Sequence, residues 1–428
     1  MTMRERSRDA RRPHAVPLRH GRLTKSHPLL GLLRILGISA AVVAVAAASV
    51  GGIAVWDVAS SIKPGIHLAA LPGQTEAPPQ IGAIEGGVNL LLAGTDTRTG
   101  QGGAFSSKSE LASSSGAGNN DVTMLLHIAA DHKSATVVSF PRDLMVPVPS
   151  CPRPGGGSYG ATSGAMFNST LARGGLSCVV LTVEKMTGLQ IPYAAMVSFD
   201  GVTGMSDAIG GVDVCVATAI KDPYTGLNLP AGTQNIVGST ALAFLRTRHG
   251  VADGSDLGRI SNQQVFMSAL ARKVTSGGVL SNPIQLYSLA KAAVKNMQLS
   301  DTLTNPTTMV EIGLAIKTIG LGNMVFLQYP TGSDPSNPNR VVPISSAAKV
   351  LNAALVADQP IQLSGKVGRA AVEDPNAVVP PVPSPTGSPT ETPGATDTAV
   401  PPANAAVVLP SSITGQTAAQ QTCTKGNR

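Results

Sequence analysis

The chain has 428 residues and a formal net charge of +7, with 46 glycines, 32 prolines and only 3% aromatic residues. Such a length holds one large domain with tails or two average ones, and the core must pack mainly through aliphatic side chains. Nine basic residues between Arg4 and Arg34, against Glu5 and Asp9 alone, supply the whole net charge; the rest sums to zero, which argues against a nucleic-acid-binding body.

Ile35 to Trp56 carries no charged residue, a length that matches the roughly 20 residues needed to span a bilayer. Basic residues crowd its N-terminal side, so residues 1–34 are expected to stay in the cytoplasm and everything beyond Trp56 to be translocated. A cleaved signal peptide is the competing reading, but the apolar run is too long for an h-region and a long basic tail precedes it. The span is set at 35–57. Residues 58–86, punctuated by Pro and Gly, read as an extracytoplasmic linker that lifts the body off the membrane.

The body is placed at 87–370. Val88 to Leu92 reads as a short buried strand, followed by a Gly/Ser-rich loop from Thr99 to Asn120. Val122–Ile128 and Thr136–Phe140 form a hairpin whose turn centres near Asp131 and His132. Leu257 to Lys273 carries a helical apolar stripe that reaches Val274, and two more helices are expected around Ile284–Met297 and Thr308–Ile319. Strands interleaved with helices predict an α/β fold, a central mixed sheet covered by helices. From 371 to 428, Pro, Ser, Thr and Ala replace the periodic pattern, and six prolines between Pro380 and Pro393 predict a disordered or polyproline-like tail. Cys151, Cys178, Cys215 and Cys423 suit a translocated, oxidising setting and show no metal-binding spacing. They allow three complete pairings among which the sequence does not choose; a Cys151–Cys178 bridge is preferred, closing a loop worth about 3 kcal/mol.

Antiparallel pairing of the hairpin puts Asp121 and Arg142 at one open end. A first strand parallel to Thr136–Phe140 brings Asp96 and Arg98 to the same rim, where ligands of α/β sheets usually sit. Arg246 and Arg248, read as part of an extended segment, point to one face. Asp256, Arg259 and Gln263 open the Leu257 helix, and the last two lie four apart on one face near a helix N-terminus that favours anions. Together Arg98, Arg142, Arg246, Arg248 and Arg259 could surround a diphosphate, with Asp96 and Asp121 holding magnesium (Mg2+) against it. Singly, such arginines are more often solvated or snorkelling, and Arg142–Asp143 or Asp256–Arg259 would be local pairs worth less than about 1 kcal/mol. No GxSxG elbow, Walker A loop or dinucleotide fingerprint is present to support another enzyme class.

Asn89-Leu-Leu-Leu-Ala-Gly-Thr-Asp-Thr-Arg98, Asp121-Val-Thr-Met-Leu-Leu-His-Ile128 and Ser139-Phe-Pro-Arg-Asp143 resemble, in order, the opening motifs of the LytR-CpsA-Psr family. Phe199-Asp-Gly-Val through Asp207-Ala-Ile-Gly-Gly-Val-Asp213 resembles its middle motif. Ala241-Leu-Ala-Phe-Leu-Arg-Thr-Arg248 and Asp256-Leu-Gly-Arg-Ile-Ser-Asn-Gln-Gln264 resemble its closing signature. The resemblance runs from about 86 to 360 and has the style of members from high-GC Gram-positive bacteria. It implies a membrane-anchored, magnesium-dependent phosphotransferase that moves a glycopolymer from a polyprenyl-pyrophosphate carrier to peptidoglycan. By motif, Asp96 and Asp121 would serve the metal, Arg142, Arg246, Arg248, Arg259 and Gln263 the pyrophosphate, and Asp256 would orient the arginines; Asp121, Arg142 and Arg259 are the residues expected to carry catalysis. The lipid would lie among core-facing aliphatics. Asn119 and Asn262 stand where the family usually has arginine. These two favour an alternative, a non-catalytic polyprenyl-phosphate-binding scaffold, while the retained charged set favours the enzyme. A pyrophosphatase would share the same site.

Overall fold

In the computed structural model, which describes residues 28–74, 87–99, 101, 107–114, 116–276, 278–279, 282–375, 377 and 406–427, the chain divides into a unit ending at Trp56 and another beginning at Asp57. Helix α1 (Pro28–Ser60) contains a 30-residue stretch, Gly31–Ser60, long and apolar enough to cross a membrane. The basic tail before it lies outside the described residues.

The second unit is α/β. Its principal strands, in chain order, are β1 (Val88–Thr95), β2 (Asn120–Ile128), β3 (Ala135–Phe140), β4 (Tyr193–Val197), β5 (Val212–Thr218), β6 (Gly232–Ile236), β7 (Met297–Leu299), β8 (Met324–Gln328), β9 (Ala371–Glu373), β10 (Gly415–Thr417) and β11 (Thr422–Lys425). The helices that matter are α2 (Ser169–Thr187), α3 (Phe199–Ala208), α4 (Gly238–Arg246), α5 (Asp256–Ser276), α6 (Pro283–Asn296), α7 (Pro306–Thr318) and α8 (Ser345–Val356). The central sheet has the order β7-β4-β1-β2-β3-β8-β10 and mixes parallel and antiparallel pairs. A second sheet has the order β6-β5-β11-β9.

The early strands are apolar almost throughout because helices cover both faces of the central sheet. Leu91 and Ala93 of β1 pack toward α2 and α8, among Val179, Val183, Leu351 and Ala354. Leu90 and Leu92 face the other way, toward Ile312 of α7 and Met267 of α5. Val212, Val214 and Val216 of the second sheet meet Phe244 of α4 and Phe266 of α5. Helix α5 therefore packs on both sheets. As expected, β2 and β3 form a hairpin: Lys133 N–H donates to the Asp131 carboxylate (3.0 Å), and His132 takes a positive φ of 53°, a left-handed turn position. Helices α6 and α7 lie where the periodicity placed them.

Two expectations about the ends of the body need correction. The tail from 371 onward is not a disordered extension where it is described. Residues 371–373 form β9, β10 closes the edge of the central sheet against β8, and β11 inserts between β5 and β9. Prolines do mark residues 380–393, which lie outside the described residues, but Thr422-Cys423-Thr424-Lys425 is a β-favouring run that composition alone masked. Likewise the linker is not wholly a stalk. Ile66 bridges to Ser300, with its N–H donating to Leu299 O (2.8 Å), and Ala69 N–H donates to Ser177 Oγ (2.9 Å). Ile66 and Leu68 join the core, because a short apolar segment gains more by packing than by solvation. Residues 75–86 lie outside the described set.

The preferred Cys151–Cys178 bridge is present, and Cys215–Cys423 joins β5 to β11. On α2, Glu184 is 6% exposed. One carboxylate oxygen accepts from Ile191 N–H (2.8 Å) while the other is buried without a hydrogen bond. Burial pushes its pKa up to about 7 despite that backbone bond. A carboxyl whose folded pKa is raised favours the fold when protonated; that contribution is complete below its unfolded value and lost as pH rises through about 7. Glu184→Gln is therefore expected to stabilise the protein at pH 8 by up to about 3 kcal/mol, with no gain at pH 4, in thermal melts across pH. A gain that does not depend on pH would show that ionisation is not the cause.

Candidate active site

Sheet register assembles the charged rim. Thr95 of β1 pairs with Asn120, and Thr123 of β2 pairs with Phe140 of β3, so Asp96, Asp121 and Arg142 leave the same end of the sheet. The first turns of α5 reach this end, as does the last turn of α4. Arg142 Nη1 donates to Asp121 Oδ1 (2.7 Å). Asp256, itself 6% exposed, accepts from Arg142 N–H (3.2 Å) and pairs with Arg259 Nη2 (2.6 Å). Arg259 Nη2 also donates to the Asp121 carbonyl (2.7 Å). Asp256 thus fixes the Arg142 backbone and the Arg259 head group together. Gln263 donates to Leu245 O (2.9 Å), tying α5 to the last carbonyls of α4.

Arg246 and Arg248 do not share an extended segment as expected. Arg246 ends helix α4, and the chain turns at Thr247 (φ −59°, ψ 135°). The apolar pattern Ala241, Leu242, Phe244, Leu245 is helical rather than alternating. Both arginines nevertheless reach one cavity. Thr247 and Arg248 are held by Asp222, which accepts from Thr247 Oγ1 (2.6 Å) and Arg248 N–H (3.2 Å) and is 1% exposed.

The cavity has a volume of about 530 Å³; its charged part is formed by Asp121, Arg142, Asp222, Arg246, Arg248 and Arg259, with the Gln263 amide beside them. The rest of the wall is mainly apolar: Val202 and Met205 from α3 with Ile209 just after it, and Phe266, Leu270 and Val274 from α5. Part of the α5 stripe that periodicity assigns to a core therefore faces this space. The Nε atoms of Arg142, Arg248 and Arg259 are buried without hydrogen-bond partners, and unsatisfied buried donors are costly unless a ligand meets them. Burial pulls the Arg142 pKa down, but Asp121, then Asp256 and Asp143, outweigh it and raise it above its ordinary value. Arg248 is lowered, first by burial and then by the charges of Arg142 and Arg259, which Asp256 and Asp143 do not offset. The Asp143 carboxyl is pushed up by burial and by Asp256. Arg142 and Arg259 thus crowd positive charge against a partly buried Arg248, a setting that suits an anion.

Asp96 and Arg98 stand on the loop after β1, outside the cavity lining. The Asp96 carboxylate accepts from Asn119 N–H (2.6 Å), the Asn119 side-chain amide (3.1 Å) and Ser114 Oγ (2.9 Å). Arg98 lies over the ring of Phe199 (4.9 Å), as does Arg246 (4.3 Å). Asn119 thus serves as a clamp on Asp96. Asn262 is fully buried, donating to Phe244 O (2.6 Å) and accepting from Thr424 Oγ1 (2.9 Å). It does not line the cavity; its amide ties α5 to α4 and to β11. Asp222 and Phe199 also line the cavity; in the sequence Asp222 carries no spacing signal, and Phe199 only opens the middle motif.

For a cation, Asp121 and Asp96 offer hard carboxylate oxygens, the donor chemistry that magnesium takes one or two at a time alongside phosphate. Among the described residues, one close group of three metal-capable side chains, Cys215, Asp374 and Cys423, stands elsewhere, and its cysteines are disulfide-bonded.

The model of the LytR_cpsA_psr family matches residues 70–354. The chain is 30% identical over 270 residues to the cell wall biosynthesis protein LcpA of Corynebacterium glutamicum, covering 59% of this chain and 51% of the relative. It is also 30% identical over 165 residues to the polyisoprenyl-teichoic acid–peptidoglycan teichoic acid transferase TagU of Bacillus mycoides, covering 39% and 50%. The chain spans about half the length of the curated relatives it matches. The structure of a LytR-Csp2A-Psr enzyme from Actinomyces oris has the same fold, with a TM-score of 0.50 at 21% identity, covering 69% of this chain and 96% of that one.

Proposed function

The chain belongs to the LytR-CpsA-Psr family, and from that premise we propose that it is a phosphotransferase that moves a glycopolymer from a polyprenyl-pyrophosphate carrier to peptidoglycan. The observation that carries this reading is one cavity whose charged end holds Arg142, Arg246, Arg248 and Arg259 and whose remaining wall is mainly apolar. A lipid diphosphate has the same two-part chemistry. The similarity to TagU, a polyisoprenyl-teichoic acid–peptidoglycan teichoic acid transferase, supports the substrate class.

In the proposed reaction the acceptor hydroxyl attacks the phosphorus proximal to the glycan. An O–P bond forms to the acceptor, the bridging P–O bond breaks, and its electron pair leaves with polyprenyl phosphate. Arg142, Arg248 and Arg259 hold the diphosphate through guanidinium donors. Their charges are fixed before reaction, so stabilising the leaving phosphate requires no reorganisation. The Asp121 carboxylate, one oxygen on Arg142, is the candidate acceptor for the hydroxyl proton. Magnesium held by Asp96 and Asp121 would add neutralisation of the diphosphate oxygens. The α1 helix would anchor the protein in the cell membrane, with the basic tail cytoplasmic and the body outside.

The grip of Asn119 on Asp96 favours a second reading, a domain that binds the lipid without turning it over. Full-length protein in proteoliposomes, given a lipid-pyrophosphate glycan, magnesium and peptidoglycan oligomers, separates the readings. Linked product is expected, EDTA is expected to abolish it, and added magnesium to restore it. Released phosphorylated glycan would mean a pyrophosphatase, and unchanged bound lipid a scaffold. Turnover unaffected by EDTA would remove the metal role alone.

A further inference from the structure

We propose that Phe199 is a positioning residue that holds Arg98 and Arg246 at the rim through its ring quadrupole, an inference that rests on the phosphotransferase reading. The ring lines the cavity and is 7% exposed. Guanidinium carbons from two separate elements sit over it, at 4.3 Å for Arg246 of α4 and 4.9 Å for Arg98 of the loop after β1. Cation–π attraction is stronger at desolvated sites than at exposed ones, and this ring is desolvated. Two like charges thereby meet on a group that carries no formal charge. A carboxylate in the same place would fix the guanidiniums but add negative charge where a diphosphate must bind; an aromatic face does not.

The platform is itself rigidly mounted. Phe199 opens α3, where Ser198 Oγ accepts from Gly201 N–H (3.2 Å) as an N-cap. Asp200 N–H donates to Gln101 Oε1 (3.0 Å), tying α3 to the chain beyond the Arg98 loop. A Cβ on Gly201 would meet Val197 Cγ2 at 2.8 Å and Asn296 O at 3.1 Å, so the start of α3 is wedged between β4 and the end of α6. The ring also links Arg98, which does not line the cavity, to Arg246, which does. Through it, the loop carrying Asp96 and Arg98 and the arginines of the cavity are set in register.

The test replaces Phe199 in the full-length protein with 4-fluoro-, 3,5-difluoro- and 3,4,5-trifluorophenylalanine, which drain the ring quadrupole stepwise while barely changing its size. Pyrophosphate affinity by calorimetry in detergent and glycan transfer in proteoliposomes are then measured. Both are expected to fall with each fluorine, by about tenfold across the series, at unchanged melting temperature. Phe199→Trp should stay within a few-fold of the native protein, and Phe199→Leu should resemble the trifluoro variant. A flat fluorine series in a protein that binds pyrophosphate overturns the inference alone. Native protein that ignores both pyrophosphate and the glycan donor overturns the functional reading and the inference with it.

Discussion

Arg142→Ala is expected to lower glycan transfer by about 10²–10³-fold, the usual consequence of removing one fixed donor to developing charge, with little change in melting temperature. Its side chain is about one-quarter exposed and its partner Asp121 about as much, so water can replace the lost pair. Arg259→Ala should cost at least as much turnover but will not be neutral for folding. Arg259 and Asp256 are each only 6% exposed as side chains, 2.6 Å apart, and alanine would leave Asp256 buried with its close counter-charge gone. Breaking such a pair costs about 3–5 kcal/mol. The double change Arg259→Ala with Asp256→Asn should recover much of that stability and none of the activity. This pattern separates charge delivered to the ligand from charge used to hold the fold. Full transfer by both single variants at saturating donor would end the assignment of the site.

Local signals read well where the pattern reports a local fact. The β2–β3 hairpin follows from two apolar runs and a polar turn, and its register carries Asp121 to Arg142 with no tertiary knowledge. The opening of α5 at Asp256 is equally local. Three things were not legible. Periodicity shows that Leu270 and Val274 avoid water, but not whether they face protein atoms or a cavity. The partners of β10 and β11 lie far back along the chain, in β8 and β5, and no short window shows them. Asn262 reads as a lost charge in a motif, yet its side chain contacts Phe244 O and Thr424, a role that only the returning C-terminal strand creates. Asp222 illustrates the same limit: burial would raise its carboxyl pKa, but bonds from Thr247, Tyr224 and Arg248 outweigh it and hold it low, and Thr247 and Arg248 are brought to it only by the fold.

That returning strand leads to the second large expected effect. Replacing Cys215 and Cys423 together with serine should destabilise the body by roughly 5 kcal/mol in the chain-entropy model, because the bridge spans 208 residues. Removing Cys151–Cys178, which spans 27, should cost less, since loop entropy grows with length. The C-terminal segment does more than cap a sheet edge. Arg272 of α5 donates to Ala418 O (2.8 Å), Gln416 donates to Ser268 Oγ (2.6 Å), and Thr424 donates to Asn262 (2.9 Å). These bonds run along the helix whose first turns carry Arg259 and Gln263. Loosening the strap should therefore lower the melting temperature by roughly 5 °C or more and also weaken pyrophosphate binding, although no cysteine lies in the cavity. Melting, protease cleavage beyond residue 405 and calorimetry would report the three effects separately. Unaltered pyrophosphate affinity in a variant that melts early would confine the strap to stability; an unshifted melting temperature would show that β11 holds its place without the bridge.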